Sequence, residues 1–212
     1  MTEAVEQYAK HVTLAESYLR KRDLWDDAVL RGFRLGVVPR EGHRPEHRRM
    51  AGRLVIPYVT PSGVCNIKFR CIKDHDCSAQ GDTHKKYLAA TASEDRMFNV
   101  QALHDALDTI YVAEGEIDAI TATIAGFPTV GISGATKYED HYTKLFEDFA
   151  EVVVLADGDT AGEEFAERVM REVEHARVIY MELDGATDVN EIVAEYGDAA
   201  LRQVITEAEE RE

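Results

Sequence analysis

The chain has 212 residues, 45% of them hydrophobic and 30% charged, with a formal net charge of −16. That composition supports a real core, in one large domain or two small ones, and excludes a fibrous or wholly disordered chain. Three cysteines and no export signal at the acidic, polar start argue against a disulfide framework.

No apolar run approaches the roughly 18 residues of a membrane span, so a cytoplasmic protein without a membrane partner is expected. The charge is unevenly spread: residues 1–100 carry 17 Lys and Arg against 13 Asp and Glu, while residues 101–212 carry 7 against 27. Such asymmetry points to a basic part that meets a polyanion and an acidic part that holds metal ions. A merely solubilising acidic surface accounts equally well for glutamates such as those in "EVEHA".

In chain order, the first 35 residues read as helices, with Leu14, Tyr18, Leu19, Leu24, Val29 and Leu30 near a helical period and Gly36 as the stop. The basic, proline-containing segment 41–52 reads as a surface loop. Strands at 53–59 and 64–72, with Gly63 between them, read as a hairpin or small sheet, and the polar segment 73–86 as a loop.

From about residue 109 the rhythm changes. "TIYVAEG", "PTVGISG", "EVVVLADGD" and "ARVIYMEL" are strands; "EIDAITATIAG", "KYEDHYTKLFEDF" and "AGEEFAERVMREVEH" are the helices between them, and the tail reads as two short helices. Strands alternating with helices of this length predict an α/β fold with a parallel sheet. The expected division is a basic α+β subdomain at 1–105, a metal-binding domain at 106–192 and a helical tail at 193–212.

Functional groups collect past the carboxyl ends of parallel strands. Glu114 follows the first strand here, Gly131 to Gly134 the second, Asp157 and Asp159 the third, and Asp184 and Asp188 lie beyond the fourth. Carboxylates about 4–6 Å apart repel and raise each other's pKa, and divalent cations remove the conflict. Oxygen ligands with room for water and phosphate suit Mg²⁺, or Mn²⁺ in its place. Asp157 and Asp159 also read as turn and helix-capping residues, although capping explains one aspartate better than two with Glu114. Asp118, one turn into a helix, reads equally as a ligand or a solvated residue.

Together, "VAEGEIDA" (112–119), "GISGAT" (131–136), "LADGDTAG" (155–162) and "TDVNEI" (187–192) resemble the successive motifs of the TOPRIM domain of DnaG-type primases, topoisomerases and some nucleases. Upstream, "AESYLRKRDLWDDAVLRGFRLGVVP", "GRLVIPYVTPSGVCNIKFRCI" and "KKYLAAT" resemble the DnaG-type primase core, so the likeness runs over about residues 14–195 in primase order. It implies a TOPRIM-type parallel sheet flanked by helices, preceded by a smaller basic α+β subdomain.

The resemblance also implies roles. Glu114 matches the glutamate that serves as general base or metal ligand, Asp157 and Asp159 the ligands of catalytic Mg²⁺, and Asp188 a further acidic position. Gly134 belongs to the glycine turn. Asn190 stands where the family often has a second aspartate, a departure that bears on a second metal. Arg53, Arg70 and Lys86 match positions that grip template and incoming nucleotide; outside the motifs each would read as a solvated surface charge.

The implied activity is primer synthesis from ribonucleoside triphosphates on single-stranded DNA, by attack of a 3′-hydroxyl on an α-phosphate. The rivals are a TOPRIM nuclease, a topoisomerase and a non-catalytic replication-accessory module that binds nucleic acid. The family's N-terminal zinc ribbon finds no room before residue 14, and no helicase motif follows residue 192. The resemblance is therefore to a compact primase core of phages and mobile elements, working with a separate helicase or zinc-binding module. Within the chain, Cys71, His75, Cys77 and His84 supply zinc-type ligands, at C-x3-H-x-C-x6-H spacing that matches no common knuckle. Cys65, on a strand, is expected in the core.

Overall fold

The computed structural model describes residues 1–77, 79, 84–90 and 95–210. Residues 78 and 80–83 of the expected loop, Thr91 at the end of "KKYLAAT" and residues 211–212 of the expected tail lie outside them. The chain divides into two compact units, Met1–Glu94 and Asp95–Glu212.

In the first unit, α1 (Thr2–Ala9), α2 (Glu16–Arg20) and α3 (Asp27–Gly32) precede a four-stranded antiparallel sheet. Its strands are β1 (Gly36–Val37), β2 (Leu54–Thr60), β3 (Gly63–Arg70) and β4 (Tyr87–Ala89), in spatial order 1-2-3-4. Gly36 is not a helix stop. Helix α3 ends earlier, where Arg34 takes a left-handed φ of 51° and the Leu35 N–H returns to the Leu30 carbonyl at 3.0 Å. Gly36 opens β1 instead.

The segment 41–52 is more ordered than a surface loop. Pro45–Met50 forms a 3₁₀ helix that buries His47 and Met50, and His47 Nδ1 hydrogen-bonds the Tyr8 hydroxyl at 2.9 Å. Val5, Tyr8, Val38, Met50, Val55, Ile67 and Phe69 share one core. Burying these apolar faces is what drives helix and sheet together in this unit. Cys65, expected in the core, is half-buried on β3 with its thiol 3.5 Å from the Tyr58 carbonyl.

In the second unit, α4 (Ala102–Asp105), β5 (Thr109–Ala113), α5 (Glu116–Ile124), β6 (Thr129–Gly131), α6 (Thr143–Phe146), β7 (Glu151–Asp157), α7 (Thr160–Glu172), β8 (Ala176–Met181), α8 (Val189–Tyr196) and α9 (Asp198–Glu209) follow in sequence. The sheet is parallel, in order β6-β5-β7-β8. Period-2 alternation loads both its faces. Val152, Val154 and Ala156 join Phe165 and Val169 on one face, while Val153 and Leu155 join Ile192, Leu201 and Ile205 on the other.

Residues 95–105, expected upstream of the boundary, belong to this second unit. Phe98 exchanges backbone hydrogen bonds with Gly131 at 2.8 and 3.1 Å, and Met97, Phe98 and Ala102 are buried. The segment covers an edge that β6 would otherwise expose. Helix α8 likewise runs through the boundary expected at 192/193, and Leu201 and Ile205 carry α9 onto the sheet. The helix expected over "KYEDHYTKLFEDF" is broken. Two 3₁₀ turns, Ala135–Lys137 and Asp140–Tyr142, precede α6, because Tyr138 leaves helical geometry with ψ 114°. Its apolar period survives the break, since Tyr138, Tyr142 and Phe146 all reach the core.

Candidate metal centre and basic cleft

The order β6-β5-β7-β8 puts a topological switch point between β5 and β7, where connections leave in opposite directions. Glu114 is the first residue past β5 and Asp157 the last of β7. Asp159 caps α7, accepting the Gly162 N–H at 2.9 Å. Asp188 caps α8, accepting the Glu191 N–H at 2.6 Å, and the Gly158 N–H bonded to the Thr187 carbonyl at 2.8 Å ties that cap to the turn after β7. Asp118 lies in the first turn of α5 and accepts the Asn190 N–H at 3.2 Å. Of the Asp-Gly-Asp run, Asp159 is therefore a helix cap as well as a member of the cluster, while Asp157 ends the strand and caps none of the described helices.

Two glycines shape this edge. A Cβ on Gly162 would fall 2.2 Å from the Asp157 carbonyl oxygen, so only glycine lets α7 start against the strand end. Gly134 has a φ of 88°, and a Cβ there would stand 3.4 Å from Glu114 Oε1.

The electrostatics converge on one side chain. Burial pushes the Asp157 carboxyl up to about 8, helped in decreasing order by the charges of Asp118, Asp188, Glu114 and Asp159. Its Oδ1 is buried with no hydrogen-bond partner among the described residues. A buried acceptor facing four other carboxylates is poorly satisfied by protein alone, and a hard divalent cation with oxygen ligands suits it. The donor set thus fits Mg²⁺ or Mn²⁺. Asp184 stays outside the cluster, exposed in a turn with φ 47°.

Sequence reasoning missed Glu116. It is 3% exposed inside the first turn of α5, and Ser133 Oγ donates to its Oε1 at 3.1 Å, tying that helix to the turn after β6. The signal was the second glutamate of "EGEIDA". Asn190 is 1% exposed, and its amide donates to Thr121 Oγ1 at 2.9 Å, docking α8 on α5.

In the first unit, Arg53 and Arg70 are 9% and 6% exposed. Arg53 gathers three carbonyls, of Lys85 at 2.9 Å, Lys86 at 3.2 Å and Phe69 at 3.4 Å. Arg70 hydrogen-bonds the Tyr87 hydroxyl and lies over the rings of Tyr87 and Tyr18, at 5.0 and 5.7 Å. Lys86 has an exposed side chain, while its carbonyl also accepts the Cys71 N–H at 2.8 Å. Arg70, Lys86, Arg22, Lys73 and Lys85 line a cleft of about 990 Å³, together with Cys71, His75, Cys77 and His84. One potential ligand atom from each of those last four lies within 4.8 Å of all the others.

Residues 111–193 match a protein family described as Toprim-like. The gene 57 protein of Mycobacterium phage D29 is 36% identical over 159 residues, which take in 73% of this chain and 98% of that protein. The RNA polymerase domain of Mycobacterium tuberculosis primase DnaG is similar in structure, with a TM-score of 0.74 at 23% identity over 96% of this chain and 80% of that one. A DnaG primase catalytic domain bound to single-stranded DNA has a TM-score of 0.70 at 22% identity, over 98% and 77%. Among the described residues no helix is long and apolar enough to cross a membrane.

Proposed function

The chain belongs to the same family as the mycobacteriophage D29 gene 57 protein and carries a Toprim domain on the DnaG catalytic-core fold, and from that premise we propose that it is a primase core. In this reading it makes short RNA primers on single-stranded DNA by metal-dependent nucleotidyl transfer. The observation that carries the proposal is the convergence of Glu114, Asp118, Asp159 and Asp188 on the buried Asp157 at the switch point of the parallel sheet.

Asp157, Asp159 and Asp188 would hold Mg²⁺, with Glu114 as a further ligand or as the base that takes the proton of the attacking 3′-hydroxyl. Mg²⁺ supplies Lewis acidity to the phosphoryl oxygens and favours the ionised hydroxyl. The Asp157 carboxyl, pushed up to about 8 by burial and its acidic neighbours, would have to be ionised to serve as a ligand. Asp118 and Asn190 hold α5 and α8 together at the site through the Asn190 N–H. In the basic unit, Lys86 meets template or nucleotide phosphate, while Arg53 and Arg70 position it by holding the backbone and Tyr87 around it. A DnaG catalytic domain was solved with single-stranded DNA bound, which supports the same polymer as partner here.

The test is incubation with single-stranded DNA, labelled ribonucleotides and Mg²⁺ or Mn²⁺. Extension products that vanish in Asp157→Asn and Glu114→Gln, with DNA affinity retained, are expected. Cleaved DNA would instead establish a nuclease, and binding without turnover an accessory module.

A further inference from the structure

The four residues Cys71, His75, Cys77 and His84 belong to the first unit, the carboxylate cluster to the second, and their chemistry is different. We propose that they hold a zinc ion that staples the connection between β3 and β4 beside the basic cleft. This inference is independent of primer synthesis.

Two of the separations lie near the edges of a tetrahedral shell. Cys71 Sγ lies 3.6 Å from His75 Nε2, and His75 Nε2 lies 3.0 Å from His84 Nε2. Zinc–sulfur bonds of about 2.3 Å and zinc–nitrogen bonds of about 2.0–2.1 Å at tetrahedral angles give edges of about 3.6 Å for S–N and about 3.3 Å for N–N. Cys77 completes a set in which every ligand atom is within 4.8 Å of every other. The two imidazole rings meet edge to face at 84° with their Nε2 atoms side by side, close enough to share one ion.

Ligand type and charge select the ion. Two thiolates with two neutral imidazoles favour zinc over Mg²⁺, which prefers oxygen. Binding releases two thiol protons and leaves a site of zero net charge, so the staple does not oppose the cations of Lys73, Lys85 and Lys86 around the same cleft.

The staple also has something to fix. Cys71 directly follows β3, and His84 comes three residues before β4. The Cys71 N–H to Lys86 carbonyl bond and the Arg53 contacts to Lys85 and Lys86 already draw these two ends together. Segment 73–86 has few apolar side chains with which to hold itself. A metal bond would hold its ends where few apolar side chains are at hand to do so, as staples do in small units.

The experiment measures zinc in the full chain, produced without a polyhistidine tag in zinc-supplemented medium and passed through EDTA-containing buffer. About one zinc per chain is expected in the wild type and in Asp157→Asn, and none in the Cys71→Ser/Cys77→Ser double variant. On the wild type alone, replacement by Co²⁺ should produce thiolate-to-cobalt charge-transfer and tetrahedral ligand-field bands, a readout that survives if the double variant does not fold. A folded wild-type chain without zinc, zinc lost on mutating Asp157, or a Cys71–Cys77 disulfide in the reduced-cell product overturns the proposal.

Discussion

Among the charges that raise the Asp157 carboxyl, that of Asp118 acts most strongly, ahead of Asp188, Glu114 and Asp159. Sequence spacing left Asp118 poised between ligand and solvated helix residue. The fold brings it to the cluster, because α5 begins immediately after Glu114 and Gly115 on the strand beside β7.

Asp118→Asn should therefore lower the metal-free pKa of Asp157 toward the ordinary carboxylate range. Carboxyl-carbon NMR titration in EDTA measures it directly. An unchanged Asp157 midpoint would contradict the coupling. Divalent-cation affinity should fall in the same variant, because one negative charge has left the site.

Stability should depend on pH in a direction set by the same group. The folded pKa of Asp157, about 8, lies above its ordinary 3.8, so the folded state binds more protons than the unfolded state between those values. The contribution is fully present below the ordinary value and is lost as pH rises through the folded one. In EDTA, Tm should decline toward pH 8, and the decline should shrink in Asp157→Asn. Mg²⁺ at a hundred times its Kd adds about 2.7 kcal/mol. That corresponds to roughly 5–11 °C for a domain of this size. At one fixed Mg²⁺ concentration the gain should be larger at pH 8 than at pH 6, where metal competes with the proton on Asp157; equal gains would count against the site.

Lys86 and Arg53 should separate binding from stability. Lys86→Ala should weaken single-stranded DNA binding and reduce the salt slope of log K by about 0.7, the loss of one phosphate contact, with Tm nearly unchanged. Arg53→Ala should cost about 1–3 kcal/mol for each carbonyl it strands without a replacement partner, read by urea unfolding. If Arg53→Ala proved as stable as the wild type, its role as an organiser of the Lys85–Lys86 backbone would fail.

Asn190→Asp would restore a carboxylate at a position where the resemblance leads one to expect an acid. The residue is 1% exposed and its amide donates to Thr121, which donates onward to the Ile117 carbonyl at 2.9 Å. An aspartate would lose that donor and place another negative charge beside Asp118. A Tm drop in EDTA, with partial recovery in Mg²⁺, is expected; a neutral or stabilising effect in EDTA would show that the amide is dispensable.

Much of the second unit was legible in the chain because its signals are local. Strands such as "VVVLA" are apolar on both faces, the helices between them follow their own period, and the acidic residues stand at the strand ends. The broken helix before α6 was not legible, since the tyrosine period persists through the break. Nor was the place of residues 95–105, whose pairing with Gly131 is a contact across more than thirty positions of chain.

By itself the sequence determined the parallel α/β rhythm, the order of acidic motifs and the basic character of the first half. Those properties reside in residue type and spacing. Only tertiary structure decided that Asp118 joins the cluster and Glu116 is buried, that Arg53 and Arg70 turn inward, and that two cysteines and two histidines share one small volume. Burial and mutual distance decide whether a charge is solvated, shared or held, and neither is a property of a residue's neighbours along the chain.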